Sequence, residues 1–400
     1  MYDFDEIVPR EGTCSIKYGD LKKINENASD DAIPMWIADM DFRCAPEILI
    51  ALHQRVNAGI FGYSSADGRY YDALDKWYRT RYGIEIKRED VVITNGVVSA
   101  INHLVKILTS PGDGIIIMTP SYGPFDRAAK GAEGRIPLYS RMIYDRGRFE
   151  TDWADFEAKA KEPSTKLFIL CNPHNPTGRV WDRQELERFH AICRENSVTI
   201  ISDEIHSDIT RTGTCTVSML DVAGDDPTVA VCTAPSKTFN MAGNGMSNII
   251  LRDPEVRDAL RRACSASQSP FSLAATTAAY EHGAAWVDAM RAYLDSNFEY
   301  LKAFLDREFP QCGYVIPGAT YLAWVDMRFA GLDNSGLEDV LAKAGVLIEA
   351  GGSFVDNADG FVRINIACPK SVLAEACERI KRPLRAENSR IDRIDDAVVV

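Results

Sequence analysis

The stretch that decides the fold is KLFILCNPHNPTG, residues 166–178, in which a continuous apolar run ends abruptly in a polar, proline-rich loop. A short run of apolar and β-branched residues is typical of a strand that is covered on both faces. The loop that follows carries amide and imidazole groups, and its prolines restrict the backbone. This pattern predicts a buried parallel strand whose carboxyl end presents polar side chains to a ligand.

Further runs of the same kind flank this strand between residues 90 and 251. They are Asp90–Thr94 (DVVIT), Gly114–Met118 (GIIIM), Val198–Ser202 (VTIIS), Thr228–Cys232 (TVAVC) and Asn248–Leu251 (NIIL). Longer amphipathic segments separate them, which predicts intervening helices and a mainly parallel sheet.

After Pro270 the pattern changes, and it predicts a second, smaller α+β domain. The segments concerned are a long helix near Trp286–Phe309, a strand at Thr320–Asp326, a helix near Gly336–Ala344 and a strand around Phe361–Asn365. We therefore predict an α/β fold with a large domain at 49–285 and a small domain at 286–385. Residues 1–48 are expected to pack with the small domain, and residues 386–400 to form a loose tail.

Composition and charge narrow the class of protein. The formal net charge of −13 argues against a nucleic-acid partner or an anionic membrane, since either would be repelled. No apolar run approaches the ~18 residues of a membrane span. The first ten residues, MYDFDEIVPR, carry acids where a signal peptide needs a basic region. The ten cysteines form no C-x-x-C pair and the histidines show no ligand spacing, so we expect a cytosolic protein without a metal site.

Polar residues follow successive predicted strands, at the edge where such sheets bind ligands. They lie in TNGVVS (Thr94–Ser99), PSYGP (Pro120–Pro124), CNPHNPTG (Cys171–Gly178), SDEIH (Ser202–His206) and APSKT (Ala234–Thr238). Taken singly, each has an ordinary explanation, such as a turn, a packing tyrosine, a helix cap or a solvated lysine. Together they supply a helix start for a phosphate, an aromatic ring, an amide loop, a carboxylate and an amine, which are parts that pyridoxal 5′-phosphate (PLP) requires.

Each of these groups has a predicted role towards PLP. Lys237 is expected to hold the cofactor as a Schiff base and then to act as the base at the substrate's Cα. Asp203 is expected to keep the ring nitrogen protonated, because an opposite charge favours the cationic form. The remaining cofactor contacts are assigned to Tyr122 (stacking), His206 and Asn175 (phenolic oxygen), and Ser236, Gly96, Val97 and Val98 (phosphate).

Arg363, in the apolar run FVRIN, is the predicted partner of a substrate carboxylate. A guanidinium group binds a carboxylate with two parallel hydrogen bonds. An arginine inside an apolar strand must be paired, so a purely structural ion pair is the alternative.

Seven motifs occur in an order that resembles a known family. They are WIADMDF (Trp36–Phe42), FGYS (Phe61–Ser64), CNPHNPTG, SDEIHSD (Ser202–Asp208), APSKTFN (Ala234–Asn240), YLAWVD (Tyr321–Asp326) and FVRINIACP (Phe361–Pro369). Together they resemble the MalY/PatB group of cystathionine β-lyases, within the fold-type-I PLP enzymes related to aspartate aminotransferase. The resemblance extends from about residue 1 to 385; the N-P-x-N-P-T-G pattern alone marks only the wider superfamily.

The resemblance implies a seven-stranded, mainly parallel sheet and a homodimer with active sites shared between subunits. Tyr63 would then reach the cofactor phosphate of the neighbouring subunit, and Ile37 would join Arg363 and Asn175 at the substrate. The implied reaction is α,β-elimination from a sulfur amino acid, which gives a thiol, pyruvate and ammonia. An aminotransferase, or a regulatory protein that keeps the fold and binds a partner, remains an alternative.

The sequence also departs from the family pattern near the lysine. The segment after Lys237 reads MAGNGMSN, and Gly245 stands where aspartate aminotransferase relatives carry an arginine for the cofactor phosphate. The phosphate is therefore expected to depend on Ser236, the helix start and Tyr63. These differences bear on which substrate binds, and they leave the cofactor assignment unchanged.

Overall fold

The structure is a computed structural model that describes residues 2–264 and 267–398, with side chains described up to residue 387. Within these ranges, no helix combines the length and the apolar character that a membrane crossing requires. The strands are β1 Ile33–Pro34, β2 Val91–Thr94, β3 Gly114–Thr119, β4 Ile136–Arg141, β5 Ile143–Asp145, β6 Arg148–Glu150, β7 Thr165–Cys171, β8 Thr199–Asp203, β9 Val229–Thr233, β10 Ser247–Leu251, β11 Leu322–Asp326, β12 Val346–Leu347, β13 Glu349–Ala350 and β14 Phe361–Asn365.

The α-helices alternate with these strands over most of the chain. They are α1 Leu21–Ile24, α2 Pro46–Asn57, α3 Gly68–Tyr82, α4 Val97–Leu108, α5 Gly123–Gly131, α6 Trp153–Ala160, α7 Arg183–Glu195, α8 Met219–Ala223, α9 Pro235–Thr238, α10 Pro254–Ala263, α11 Pro270–His282, α12 Ala284–Glu308, α13 Asn334–Lys343 and α14 Lys370–Val398.

The central sheet has seven strands in the order β2-β10-β9-β8-β7-β3-β4. Only β10 runs antiparallel to its neighbours, so the predicted mainly parallel sheet is confirmed. All six strands predicted from apolar runs are present. The seventh, β4, is an edge strand that is partly exposed and contains Pro137, and it therefore lacks the apolar run that marks a buried strand.

The register of the parallel strands brings their carboxyl ends level with one another. Cys171 at the end of β7 is paired with Asp203 at the end of β8, and Asp203 is paired with Cys232 on β9. The loops that follow these strands therefore emerge side by side at one edge of the sheet. This register places the NPHNPTG loop, Asp203 and α9 together.

A smaller unit is built on the antiparallel sheet β11-β14-β13. Its core contains Phe298 and Leu301 of α12 together with Val362 and Leu373, and Met35 of the N-terminal segment joins the same core. The predicted helix at Trp286–Phe309 and the predicted strand at Phe361–Asn365 are confirmed as α12 and β14. The domain boundaries themselves stay predictions.

The N-terminal segment pairs with a strand of the smaller unit, and the C-terminal segment continues its last helix. Strand β1 pairs in parallel with β12 through Ile33 and Val346. At the other end, α14 continues to Val398, so the backbone of residues 386–398 is helical where a loose tail was expected.

Candidate active site

Lys237 lies on α9, one short turn beyond the end of β9. Its Nζ donates a hydrogen bond to the Ala38 carbonyl oxygen at 2.6 Å. Burial and the nearby Arg363 cation lower the pKa of Lys237 to about 8, against the opposing attraction of Asp39 and Asp203. About a tenth of the Lys237 amine is therefore uncharged at pH 7, far more than for an ordinary lysine, and the uncharged form is the nucleophile and base.

Asp203 ends β8 and is only 4% exposed. Its Oδ1 accepts a hydrogen bond from the Ile205 N–H at 3.1 Å. Burial raises the pKa of Asp203 to about 7, with a further increase from Glu204, while the Ile205 bond and Lys237 oppose the shift. The carboxyl thus lies in a site where a cation would stabilise its charged form.

Arg363 on β14 is buried and makes three hydrogen bonds, to the Asn175 Oδ1 at 3.1 Å, to the Trp36 carbonyl oxygen at 3.1 Å and to Glu349. Its Nε has no partner among the described residues. A guanidinium group carries five N–H donors, so two remain for another acceptor. The structural ion pair considered from the sequence is present, and its partner is Glu349.

Asn175 and His206 face the same site. The Asn175 side chain uses its oxygen for Arg363, which leaves the amide nitrogen as a donor. His206 is 3% exposed, and its Nδ1 has no partner in the described part of the chain. Burial and the cations Lys237 and Arg363 lower the pKa of His206 to about 3, so the ring is neutral.

Tyr122 is half-buried at the start of α5, with its ring edge-on to Phe125. Burial raises the pKa of Tyr122, and the charges of Arg363 and Asp203 are close enough to influence it. The structure therefore brings Tyr122 into the same site as the buried acid and the guanidinium group.

The start of α4 supplies an anion site. Gly96 precedes the helix with φ +138°, a conformation that residues with a side chain rarely adopt, and its own N–H bonds to the Ser247 hydroxyl at 3.1 Å. No side chain in the described part of the chain caps the first turn of α4, so the N–H groups at Val97 and Val98 are left for another acceptor, and Val98 is partly exposed. Ser236 is half-buried beside Lys237.

Two predicted site residues have a different setting. Tyr63 lies between α2 and α3, and its side chain is fully exposed with respect to the described residues of its own chain. Ile37 is half-buried, and its carbonyl oxygen accepts a hydrogen bond from Asn365 at 2.7 Å.

Sequence reasoning missed three groups that line the site. They are the carbonyl of Ala38, the hydroxyl of Tyr321 and the carboxylate of Glu349. An acid in the apolar run around Glu349 was a usable signal, because it matches the arginine in the apolar run around Arg363. A backbone carbonyl leaves no sequence signal, and a tyrosine at the start of a strand is common.

The fold and the site together define a fold-type-I PLP enzyme. Residues 37–380 match the family model for aminotransferase class I and II, and the chain belongs to this family. Cystathionine beta-lyase PatB of Bacillus subtilis (strain 168) is 37% identical over 391 residues, covering 96% of this chain and 100% of the relative. Protein MalY of Escherichia coli (strain K12) is 33% identical over 393 residues, with the same coverage. The PLP-bound C-S lyase from Staphylococcus hominis superposes with a TM-score of 0.92 at 38% identity, covering 96% of this chain and 98% of that chain.

The residues present fit PLP, judged by what the fold leaves unsatisfied. Asp203 is a buried acid whose pKa is raised by its burial, and His206 has a buried nitrogen without a described partner. The uncapped start of α4 suits a phosphate, and Lys237 carries an amine that is partly uncharged. Each group matches one part of PLP: Asp203 suits the protonated pyridine nitrogen and His206 the phenolic oxygen. The start of α4 suits the phosphate, and Lys237 suits the aldehyde.

We expect the Asp203→Asn apoprotein to be more stable than the wild-type apoprotein at pH 8. The folded-state pKa of Asp203 is raised to about 7 from its ordinary value of 3.8, so ionisation destabilises the fold increasingly as the pH rises between these values. The gain is at most about 4 kcal/mol, and it shrinks as the pH falls towards about 4, where the unfolded-state acid also takes up its proton. Urea unfolding of both apoproteins from pH 5 to 8 measures it. A difference that does not vary with pH would contradict the assigned cause.

Proposed function

We propose that this chain is a PLP-dependent carbon–sulfur β-lyase of the cystathionine or cysteine-S-conjugate type. It converts a sulfur amino acid into a thiol, pyruvate and ammonia. The observation that carries the proposal is one buried site in which the Lys237 amine, with a pKa of about 8, lies near the guanidinium of Arg363, which bonds to Asn175. A base beside a carboxylate-binding cation is what removal of a proton from the Cα of an amino acid requires.

The residues divide the work between binding and proton transfer. PLP, when bound, withdraws electrons from the carbon that bears the substrate's amino group. Arg363 and Asn175 hold the carboxylate, and Lys237 Nζ takes the proton from Cα. The Cβ–S bond then breaks as a double bond forms between Cα and Cβ, the sulfur leaves as a thiol after protonation, and water converts the aminoacrylate into pyruvate and ammonia.

We expect Arg363→Ala to act chiefly on substrate binding. Loss of a charge-assisted bidentate contact raises KM for an amino acid by about 10- to 100-fold, because such contacts contribute about 1.5–3 kcal/mol. The same variant leaves the Glu349 carboxylate without its cation. The double variant Arg363→Ala/Glu349→Gln removes that unpaired charge and is therefore the control for its effect. Steady-state kinetics with L-cystathionine measure KM for the single and the double variant. A KM close to the wild-type value would remove Arg363 from the binding site.

Elimination and transamination start from the same lysine and acid, so the site geometry does not separate them. Elimination is supported by two relatives named as lyases, at 37% and 38% identity, while a putative aminotransferase of Bacillus subtilis is 24% identical. A putative aminotransferase from Clostridium difficile 630 is 37% identical, so the two reactions are separated by assay. Incubation of the protein with L-cystathionine, followed by assay of pyruvate and free thiol, tests the proposal. Keto acid without thiol would establish a transaminase instead.

The second alternative is a regulatory protein that binds a partner and has no need of catalysis. Lys237, Asp203, Asn175 and Arg363 are all present and lie close to one another, which favours an enzyme. Any biological effect that survives Lys237→Ala would reveal such a binding role.

We also propose a homodimer with shared active sites. Helix α2 and the segment after it expose a run of large apolar side chains, namely Ile50, Val56, Ile60, Phe61 and Tyr63. A concentration of exposed large apolar side chains in one segment favours a protein–protein interface. A second copy of the chain would cover it, and the fully exposed Tyr63 would be free to reach the partner's phosphate site.

A mixing experiment tests the shared site. We expect Lys237→Ala and Tyr63→Ala each to have low activity, and a mixture of the two to regain activity after subunit exchange. Recovery follows because one site of the mixed dimer then combines an intact Lys237 with an intact Tyr63 from the other chain. A mixture that is no more active than the sum of its parts would place Tyr63 outside the partner's site.

The cytosol is the compartment that we propose. All ten cysteines are free thiols, and six of them are buried. Free thiols persist in a reducing environment.

A further inference from the structure

The segment Trp36–Met40 borders the site and has no helix or strand of its own. Five consecutive carbonyl oxygens of this segment, which we call the carbonyl segment, each accept a hydrogen bond from at least one side chain. The donors are Arg363 for Trp36, Asn365 for Ile37, Lys237 and Tyr321 for Ala38, Lys17 and Asn365 for Asp39, and Arg10 and Asn240 for Met40. Side chains from distant parts of the sequence therefore set the shape of this backbone.

Lys17 is the most unusual of these donors, because its side chain is only 1% exposed. Its Nζ lies 2.8 Å from the Asp41 carboxylate and 2.9 Å from the Asp39 carbonyl oxygen. Arg10 completes the cluster by pairing with Asp39 at 2.8 Å. The two cations balance the two acids, and a buried ammonium ion is tolerated only with such partners.

Tyr321 acts on the neighbouring carbonyl. Its side chain is 1% exposed, and its hydroxyl donates to the Ala38 carbonyl oxygen at 3.1 Å. The Lys237 amine donates to the same oxygen at 2.6 Å. The ring of Tyr321 also lies edge-on to His206, with centroids 6.3 Å apart, so the side chain is fixed on two sides.

We propose that Lys17 and Tyr321 are positioning residues for the reaction, which hold the Ala38 carbonyl where it fixes the free amine of Lys237. Tyr321 holds this carbonyl directly, and Lys17 holds the next carbonyl along the chain. The inference rests on the proposed role of Lys237 as nucleophile and base. It does not depend on whether the reaction is an elimination or a transamination.

Loss of either contact acts on Lys237 rather than on substrate affinity. The substrate end of the carbonyl segment keeps its own anchors, since Arg363 still bonds to Trp36 and Asn365 to Ile37. The amine, in contrast, loses the fixed acceptor that orients it. A displacement of the amine by a fraction of an ångström slows proton transfer and bond formation with PLP alike.

Two variants and two measurements test the proposal. Tyr321→Phe removes one hydroxyl and no charge, while Lys17→Met removes the donor to Asp39. The first measurement is the rate at which the visible absorbance of covalently bound PLP appears after the apoprotein is mixed with PLP. The second is kcat and KM with L-cystathionine. We expect both variants to slow PLP attachment and to lower kcat by about tenfold or more, with KM within about twofold of wild type.

The control separates positioning from loss of stability. Arg257→Met removes one of the two arginines, Arg252 and Arg257, that pair with the buried Asp90 at the amino end of β2, away from the site. Breaking a buried ion pair destabilises a protein in either place. We expect Arg257→Met to lower the thermal stability with no change in the attachment rate or in kcat. If Lys17→Met does not fold, the attachment rate and kcat of Tyr321→Phe test the proposal.

An attachment rate and a kcat that stay within about twofold of wild type in Tyr321→Phe would overturn the proposal. Equal losses in Arg257→Met would overturn it as well, because the effects would then follow stability. Failure of the wild-type protein to release a thiol would refute the lyase proposal instead. The attachment rates would still test Lys17 and Tyr321 in that case.

Discussion

Replacing Lys237 by alanine is expected to abolish elimination and to leave a folded protein that binds PLP without a covalent bond. The loss of turnover is at least about 10⁴-fold, because the variant lacks both the proton acceptor and the amine that attaches the cofactor. Assay of pyruvate and thiol, together with the visible absorbance of the purified protein, measures the two losses separately.

Lys237→Arg is the matched control for this variant. It keeps a cation close to the Ala38 carbonyl, but a guanidinium group stays protonated and cannot act as a base or attach an aldehyde. We expect it to be as inactive as Lys237→Ala. Appreciable thiol release by either variant would mean that another group performs the chemistry.

Replacing Asp203 by asparagine is expected to give the second largest effect. Turnover falls about 10²- to 10³-fold, which is the usual consequence of removing one fixed electrostatic group from an active site. Covalent attachment of PLP persists, because Lys237 is intact. The same substitution stabilises the apoprotein at pH 8, so the loss of activity does not follow from unfolding.

Glu204→Gln provides the control for Asp203→Asn. Glu204 is the next residue, equally buried, and burial raises its pKa to about 7 as well. Its carboxylate accepts hydrogen bonds from the Ser202 hydroxyl and the Met219 N–H. We expect little change in turnover on this substitution. Equal losses in both variants, or unchanged turnover in Asp203→Asn, would show that the acid facing the ring nitrogen has been assigned wrongly.

Much of the fold was predictable because the buried strands carry their own signal. The strands β3 and β7 to β10 are covered on both faces, so their sequences are continuous apolar runs that need no tertiary context to recognise. The edge strand β4 has an exposed side and gave no such run. The backbone of residues 386–398 continues α14 although its sequence is polar, so polarity alone did not predict an irregular segment.

The chemistry of the site was predictable where function requires a particular residue type. An amine after β9, an acid after β8 and an arginine within an apolar strand are unusual enough to be recognised in the sequence. Glu349 was missed, although it is the acid that pairs with Arg363 and it carried the same kind of signal. The roles of Tyr63 and Ile37 stay predictions.

The sequence by itself determined which residues form the sheet and which side chains follow each strand, because both depend on local patterns of a few residues. Only the tertiary structure decided what holds Lys237 in place. Its amine bonds to a carbonyl 199 residues away, and Asn365 bonds to a carbonyl 328 residues away. Contacts of this kind use backbone oxygens, which every residue carries, so their selection depends on chain packing and leaves no trace in the sequence of either partner.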